Sequence, residues 1–198
     1  MAVANLNLGG APLALWSLCQ PNPRHAPRRV ALARHGVQRR AAHLALALML
    51  YTGAARADAC ALGWQNIRGD RIEYRRQKTR GKGGPLISLP IHPALAAALA
   101  LVPRDRMTFL EVQRRGARPR SPNGLTEQFR DWCAQAGLES RDDYGRRLGP
   151  HGLRKAMARR LAEAGCSEVE IAAVTGHQTL REVARYTRAY SRERAASA

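Results

Sequence analysis

The most conspicuous shortage in this sequence is of acidic residues. Its 198 residues include 33 Lys and Arg but only 15 Asp and Glu, which gives a formal net charge of +18. An excess of this size indicates a polyanionic partner. Hydrophobic residues make up 45% of the chain, enough to bury a core, which excludes a wholly disordered basic tail.

Long apolar runs and paired cysteines are also absent. The uninterrupted apolar run from Leu44 to Tyr51 has 8 residues and the longest, Ala94 to Val102, has 9, whereas a membrane-spanning helix needs about 20. The four cysteines are scattered, with no Cys-x-x-Cys pair and no histidine at metal-ligand spacing. We therefore expect no membrane association and a reducing, cytoplasmic setting.

The amino-terminal part differs in amino-acid composition from the rest of the chain. The first 40 residues hold six arginines and no acidic residue, with Gly9-Gly10 and several prolines. This composition predicts a basic, loosely structured extension over residues 1–39 and a folded domain over residues 40–198. Within that domain, the apolar stretch from Ala41 to Tyr51 is too long for a typical buried strand. It predicts a buried helix that ends at Thr52-Gly53.

The pattern after this helix predicts a small antiparallel sheet and then more helices. A short helix is expected over residues 56–62. Alternation in residues 72–74 and 86–89 predicts two strands joined by a flexible basic turn over residues 80–84. Further helices are expected at about 93–102, 122–136, 151–164, 167–175 and 179–189, and Ser167 to Glu170 fits a capping box. The expected fold class is α+β, mostly helical, with a small antiparallel sheet.

Three separated segments carry residues suited to phosphate chemistry. They are Thr52-Gly53 followed by Asp58, the run from His151 to Arg154, and Gly176-His177 followed nine positions later by Tyr186. His151 and Arg154 are neighbours along one side of a helix, so they can present a donor and a bidentate cation to one phosphate. A second histidine and a tyrosine would complete an anion site with an oxygen nucleophile. Taken singly, each of these residues also fits an ordinary structural role. Their combination favours a role in phosphate chemistry.

The combined pattern resembles the tyrosine recombinase (phage integrase) family, from about Arg40 to Arg188. The resemblance rests on the apolar helix ending in Thr-Gly, the stretch ALGWQNI after it, and the closing stretch TGHQTLREVARYTRAY. It implies the integrase-like catalytic fold and site-specific DNA recombination or integration, as in a mobile element. It also implies double-stranded DNA as the substrate, self-association as a tetramer on DNA, and a nucleoid-associated location in the cytoplasm.

In the reaction that this resemblance implies, a tyrosine attacks a backbone phosphate, becomes a 3′-phosphotyrosyl group and releases a 5′-hydroxyl. The reaction uses no metal, no ATP and no other cofactor. By the match of motifs, Tyr186 is the nucleophile. Arg154, His151 and His177 neutralise and orient the phosphate, where charge builds up in the transition state.

Two further residues take roles from the resemblance. A lysine on the hairpin of the sheet should protonate the leaving oxygen, and Lys78 matches the setting of that lysine better than Lys82 does. Which of these two lysines is the general acid stays open. Asp58 matches an acidic residue that supports the site from behind.

The sequence departs from the family at its first catalytic arginine. That arginine follows Thr-Gly after one residue, and the corresponding position is Ala55. Thr52-Gly53 before it and Asp58 after it agree on this register. Arg56 is adjacent but not equivalent, since successive residues of a helix point about 100° apart. The loss of one charge on a transferring phosphate costs on the order of 10² to 10³ in rate, so we expect impaired cleavage.

A second departure concerns the separate helical DNA-clamping domain that usually precedes the catalytic one. Residues 1–39 are too few and too irregular to form it, so either the chain is a fragment or clamping is supplied otherwise. The arginines of this segment could contact DNA phosphates as a flexible arm. Two other functions therefore stay open. One is a cleavage-incompetent, DNA-binding remnant of an integrase. The other, based on charge alone, is a nucleic-acid-coating or ribosome-associated basic protein.

Overall fold

The computed structural model describes residues 36–82, 84–112, 118–138 and 148–187. Within these ranges the chain forms seven α-helices and two small antiparallel sheets. The helices are α1 (Gly36–Thr52), α2 (Arg56–Ala61), α3 (Pro93–Leu99), α4 (Pro122–Gln135), α5 (Pro150–Glu163), α6 (Glu168–Thr175) and α7 (residues 180–187). The strands are β1 (Ile67–Arg68), β2 (Arg71–Arg75), β3 (Leu86–Pro90), β4 (Glu111–Val112) and β5 (Arg118–Pro119). The predicted class, mostly helical α+β with a small antiparallel sheet, is confirmed.

Helix α1 forms the centre of the core. Ala45, Leu48 and Met49 are fully buried, and the helix packs against both α3 and α5. Apolar side chains lie on most of its faces, so burial between neighbouring helices is the favourable arrangement. The helix begins at Gly36 rather than near Ala41. Residues 36–39, which we had expected to belong to the extension, are therefore helical.

The Thr52-Gly53 pair ends α1, as predicted. Thr52 Oγ1 donates a hydrogen bond to the Leu48 carbonyl at 2.6 Å, and the Gly53 N–H donates to the Met49 carbonyl at 3.1 Å. Gly53 has φ 62°, in the left-handed region that a residue without Cβ adopts at little cost. The turn leaves the carbonyl oxygen of Gly53 outside the hydrogen bonds of the helix.

The three-stranded sheet, with strand order β1-β2-β3, turns one apolar face towards the helices. Ile72 lies opposite Leu89, and Tyr74 lies opposite Ile87. All four side chains are buried, whereas Glu73 between them is partly exposed. The alternation predicted for these two strands is confirmed.

Two features near the sheets differ from the sequence-based expectation. The segment expected to form a flexible turn is in part a 3₁₀ helix, Gln77–Lys82, which follows β2 after one residue. The two-residue strands β1, β4 and β5 were not predicted, because such short strands carry no measurable alternation. The β4–β5 pair forms a separate two-stranded sheet.

The remaining helices agree with the prediction to within a few residues. The capping box is present at the start of α6, where Ser167 Oγ accepts from the Glu170 N–H at 3.3 Å and the Glu170 carboxylate accepts from the Ser167 N–H at 2.7 Å. Residues 1–35 of the predicted extension lie outside the described residues, so the domain boundary stays a prediction. No helix in the described part of the chain is long and apolar enough to cross a membrane.

We expect Leu48→Ala to lower the free energy of unfolding by about 2 to 5 kcal/mol, because it leaves a cavity in the core around α1. His43→Ala, on an exposed position of the same helix, serves as the matched control and should change stability by less than about 0.5 kcal/mol. Urea denaturation followed by circular dichroism measures both. Equal losses for the two variants would contradict the burial of this helix.

Candidate functional site

Arg154, on α5, lies buried beneath the candidate site with only 2% of its side chain exposed. Its guanidinium group donates hydrogen bonds to the carbonyl oxygens of Gly53 and Thr175. Gly53 follows the last residue of α1 and Thr175 is the last residue of α6, so both carbonyls carry the negative partial charge of a helix C-terminus. Burial lowers the pKa of Arg154, and the nearby charge of Arg76 lowers it further. The guanidinium nevertheless stays charged, as arginine does throughout the physiological range.

His177 is held between Arg154 and Thr175. Its Nδ1 lies 2.6 Å from Thr175 Oγ1, and its Nε2 lies 3.2 Å from Arg154 Nη2. The hydroxyl proton of Thr175 is directed to the Ile171 carbonyl at 2.6 Å, so we assign the proton on His177 to Nδ1, which donates to the hydroxyl oxygen. Nε2 then has a free lone pair and accepts from Arg154.

This arrangement favours the neutral form of His177. Burial, followed by the charge of Arg154, lowers its pKa to about 4. The imidazole is therefore uncharged at neutral pH, and the positive charge of this part of the site resides on the arginines.

Tyr186, on α7, lies between the two histidines of the predicted motif. Its ring centroid is 5.5 Å from that of His177 and 6.3 Å from that of His151, and Lys155 Nζ lies 5.8 Å from the same centroid. The ring is half-buried against the apolar cluster formed by α5 and α6. His151 is exposed, and burial of part of its ring and the charge of Lys155 lower its pKa. The structure thus brings together Tyr186, His151, His177 and Arg154.

Asp58, on α2, connects the start of that helix to the end of β2. It is 3% exposed, and its carboxylate accepts from the Gln77 N–H at 2.6 Å and from the Ala55 N–H at 3.3 Å. Both oxygens therefore bind backbone donors next to the site. This placement agrees with the supporting position predicted for Asp58.

Position 55 has no side-chain donor, and Arg56 does not fill the gap. Ala55 immediately precedes α2 and is partly exposed. The Arg56 side chain extends along the surface to α4, where it donates to Thr126 Oγ1 at 3.0 Å. The guanidinium at position 56 is thus anchored on α4, as the 100° offset between successive helix residues leads one to expect.

Lys78 lies in the 3₁₀ helix that begins at Gln77, one residue from the backbone amide that Asp58 holds. Its side chain is exposed, and no hydrogen bond or ion pair among the described residues fixes its ammonium group. The side chain of Lys82 lies outside the described residues. The choice between these two lysines therefore stays a prediction.

Two residues of the site escaped the sequence analysis as functional candidates. Thr175, which determines the tautomer of His177, has a weak signal in its position two residues before that histidine. Arg76 has none, since nothing in the sequence distinguishes it from Arg75 beside it. Its side chain, 13% exposed, donates from Nη1 to the Gly176 carbonyl at 2.8 Å.

In the described ranges, no group of three or more His, Cys, Asp or Glu side chains is arranged to hold a metal ion. In a comparison with protein families, the model of the phage integrase family matches residues 28–193. A comparison with curated protein sequences finds no match.

The fold is similar to those of several solved structures. A lambda integrase fragment, solved as a dimer bound to a COC′ core site, has 20% sequence identity and a TM-score of 0.60, and the match covers 88% of this chain and 56% of that chain. The XerA recombinase has 19% identity and a TM-score of 0.57, with coverage of 79% and 60%. The Tn1549 transposon integrase, solved with circular intermediate DNA, has 17% identity and a TM-score of 0.57, with coverage of 72% and 54%. This chain therefore spans less than two thirds of the length of each of these structures.

The low pKa of His177 predicts an acid-dependent loss of stability. The unfolded chain takes up a proton on this histidine near pH 6.5, whereas the folded chain does so only near pH 4. Between these values the unfolded state binds more protons, so the free energy of unfolding falls as the pH falls. We expect His177→Gln to lose less stability than the unaltered protein over this interval, measured by urea denaturation at stepped pH. The same pH dependence in both proteins would contradict the assignment of a buried neutral histidine.

Proposed function

This chain belongs to the phage integrase family of tyrosine recombinases, and on that basis we propose that it cleaves and rejoins double-stranded DNA at specific sites through a covalent bond to Tyr186. The observation that carries the proposal is the convergence of Tyr186 with both histidines above a buried arginine. A phenol beside a cationic, hydrogen-bonding pocket suits attack on a phosphodiester.

In the proposed reaction, Tyr186 Oη forms a bond to phosphorus while the bond from phosphorus to the 5′ oxygen breaks. His151 is neutral at pH 7 because its pKa is lowered, so one ring nitrogen donates to the phosphate and the other accepts the phenol proton. Arg154 neutralises charge on the non-bridging oxygens, and His177 orients it through the bond between Nε2 and Nη2. Rejoining reverses these steps, with a 5′-hydroxyl attacking the phosphotyrosyl bond.

Lys78 is the proposed general acid for the leaving 5′ oxygen. Asp58 supports this part of the site, because its bond to the Gln77 amide holds the start of the 3₁₀ helix that carries Lys78. An exposed lysine on a short helix is free to reach a DNA backbone that lies across the sheet. Lys82, four residues further along the same helix, is the alternative.

The partner in this proposal is double-stranded DNA, in keeping with the net charge of +18 and with the DNA-bound integrases of similar fold. We further propose self-association on DNA, as a tetramer during strand exchange, and a nucleoid-associated location in the cytoplasm. Binding should weaken steeply with salt because phosphate contacts release counterions.

Ala55 favours a second candidate function. An alanine at the position of the family's first catalytic arginine removes one donor from the phosphate, at a cost on the order of 10² to 10³ in rate if nothing replaces it. A chain slowed to that extent would act as a cleavage-incompetent, DNA-binding remnant of an integrase. Such a remnant would bind DNA with the same dependence on salt and form no covalent product.

The covalent intermediate separates these two functions. On nicked duplexes built from the DNA that flanks the gene, with excess EDTA present, we expect a protein–DNA adduct on a denaturing gel. Tyr186→Phe should abolish the adduct without weakening DNA binding, because only the nucleophilic oxygen is removed. Tyr51→Phe, which alters a ring stacked on His92 with centroids 4.1 Å apart, is the matched control and should keep it.

An adduct that persists in Tyr186→Phe would overturn the assignment of the nucleophile. Salt-sensitive DNA binding without any adduct would favour the remnant.

The general acid can be identified by changing the leaving group. A thiol ionises with a pKa of about 8.5, so a 5′-bridging sulfur leaves without a proton donor, whereas a 5′ oxygen needs one. We expect Lys78→Ala to slow adduct formation on ordinary DNA by at least about 10²-fold and to react at nearly the unaltered rate on the sulfur-containing DNA. Lys82→Ala serves as the comparison and should be slowed on neither substrate. The opposite pattern would assign the role to Lys82.

A further inference from the structure

Although position 55 has no charge, a second guanidinium group already lies in the same part of the site. Arg76 follows the last residue of β2, and its Nε lies 3.9 Å from Asp58 Oδ2. Asp58 in turn accepts from the backbone N–H of Ala55. The Asp58 carboxylate therefore lies between the Arg76 guanidinium and the backbone of Ala55, where the family's arginine is absent.

Arg76 also reaches the opposite side of the site, next to His177. Its Nη1 donates to the Gly176 carbonyl at 2.8 Å, which connects two residues 100 positions apart. Gly176 permits this approach because it lacks a side chain: a Cβ there would lie 2.8 Å from Arg76 Cδ. Gly176 also has φ 65°, in the left-handed region that disfavours other residues. The absence of a side chain on Gly176 thus leaves room for the Arg76 side chain, and the Gly176 carbonyl accepts a hydrogen bond from it.

The charge of Arg76 acts on the two groups that we propose to serve the phosphate. After burial, it is the largest cause of the lowered pKa of Arg154. It also contributes, after burial and other charges, to the low pKa of His177. These effects require Arg76 to lie close to both groups, in agreement with the hydrogen bond to Gly176.

The donors of Arg76 are only partly used within the protein. Its Nε is buried and has no hydrogen-bond partner among the described residues, since 3.9 Å from the Asp58 carboxylate is an ion pair without a hydrogen bond. Nε itself is too buried for a ligand to reach. The second N–H of Nη1 and both N–H groups of Nη2 form no hydrogen bond within the described ranges, and the side chain is 13% exposed, so these donors are left for a ligand. An arginine that served only to pair with Asp58 would direct its donors at the carboxylate.

We propose that Arg76 supplies the second guanidinium group on the scissile phosphate, in place of the arginine that is absent at position 55. This inference rests on the proposed function. Arg76 forms and breaks no covalent bond: it donates hydrogen bonds to the non-bridging oxygens while the bond to the 5′ oxygen breaks. Arg56, the neighbour of Ala55 in sequence, is less suited to this role because its Nη1 donates to Thr126 Oγ1 on α4, although its charge also lowers the pKa of His151.

The test compares adduct formation by four proteins on the same nicked duplexes: unaltered, Arg76→Gln, Ala55→Arg, and the double variant with both changes. We expect Arg76→Gln to lose about 10²-fold or more in rate, and Ala55→Arg to gain little, because the charge is already present. The double variant should recover most of the loss, since either position then supplies one guanidinium group. Arg75→Gln removes the same charge from an exposed neighbour and is the matched control.

A second substrate distinguishes a role in neutralising charge from a structural one. A methylphosphonate at the cleaved linkage removes one negative charge, so the second cation is no longer needed. On this DNA we expect Arg76→Gln to react within about threefold of the unaltered protein, although it loses about 10²-fold on phosphate. If Arg76→Gln fails to fold, Arg76→Lys replaces it, and its loss on phosphate should likewise vanish on methylphosphonate.

The outcomes distinguish a failure of the role proposed for Arg76 from a failure of the proposed function. If the unaltered protein forms an adduct and Arg76→Gln does so equally fast, or if its loss persists on methylphosphonate, the role of Arg76 is overturned while the proposed function stands. If only Ala55→Arg forms an adduct that depends on Tyr186, the role of Arg76 is overturned and the unaltered chain is the cleavage-incompetent remnant. If no variant, Ala55→Arg included, forms an adduct that depends on Tyr186, both proposals fall together.

Discussion

The contact between the Arg154 guanidinium and the carbonyl oxygens at the ends of α1 and α6 determines the geometry of the candidate site. A buried charge is costly unless it is hydrogen-bonded, and here its acceptors are neutral carbonyls rather than a carboxylate. Such acceptors stabilise the guanidinium through helix dipoles and leave its full positive charge in place. A carboxylate partner would largely cancel that charge, and the proposed binding of a phosphate requires the charge to remain.

The Asp58 carboxylate is used differently. Its oxygens bind the backbone amides at positions 55 and 77 and lie near Arg76 without a hydrogen bond to it. Asp58 therefore organises two backbone segments and balances one of two arginines. The combined charge of Asp58, Arg76 and Arg154 therefore stays positive. The neutral His177 aligns Arg154 without adding charge or repelling it.

The parts of the structure that follow local rules were predictable from the sequence. Helix α1, the glycine turn at its end and the capping box before α6 each depend on neighbouring residues, and the four clustered residues of the motif follow the resemblance to a family. Arg76 could not be found this way, because its role depends on Gly176, a residue 100 positions away. The neutral state of His177 was equally hidden, since it depends on burial and on the charge of Arg154, 23 positions away. The short strands β1, β4 and β5 fall below the length at which alternation can be recognised.

The hydrogen bonds of Arg154 and Arg76 join residues that are far apart in sequence, and this separation affects when the site forms during folding. Arg154 is tied to Gly53 across 101 residues and Arg76 to Gly176 across 100, so both ties close large loops. Contacts of such long range form only once the entropy of loop closure has been overcome by the packing of the intervening chain. A nascent or partly folded chain therefore contains every arginine of the candidate site but not their arrangement, which exists only in chains that have completed their fold.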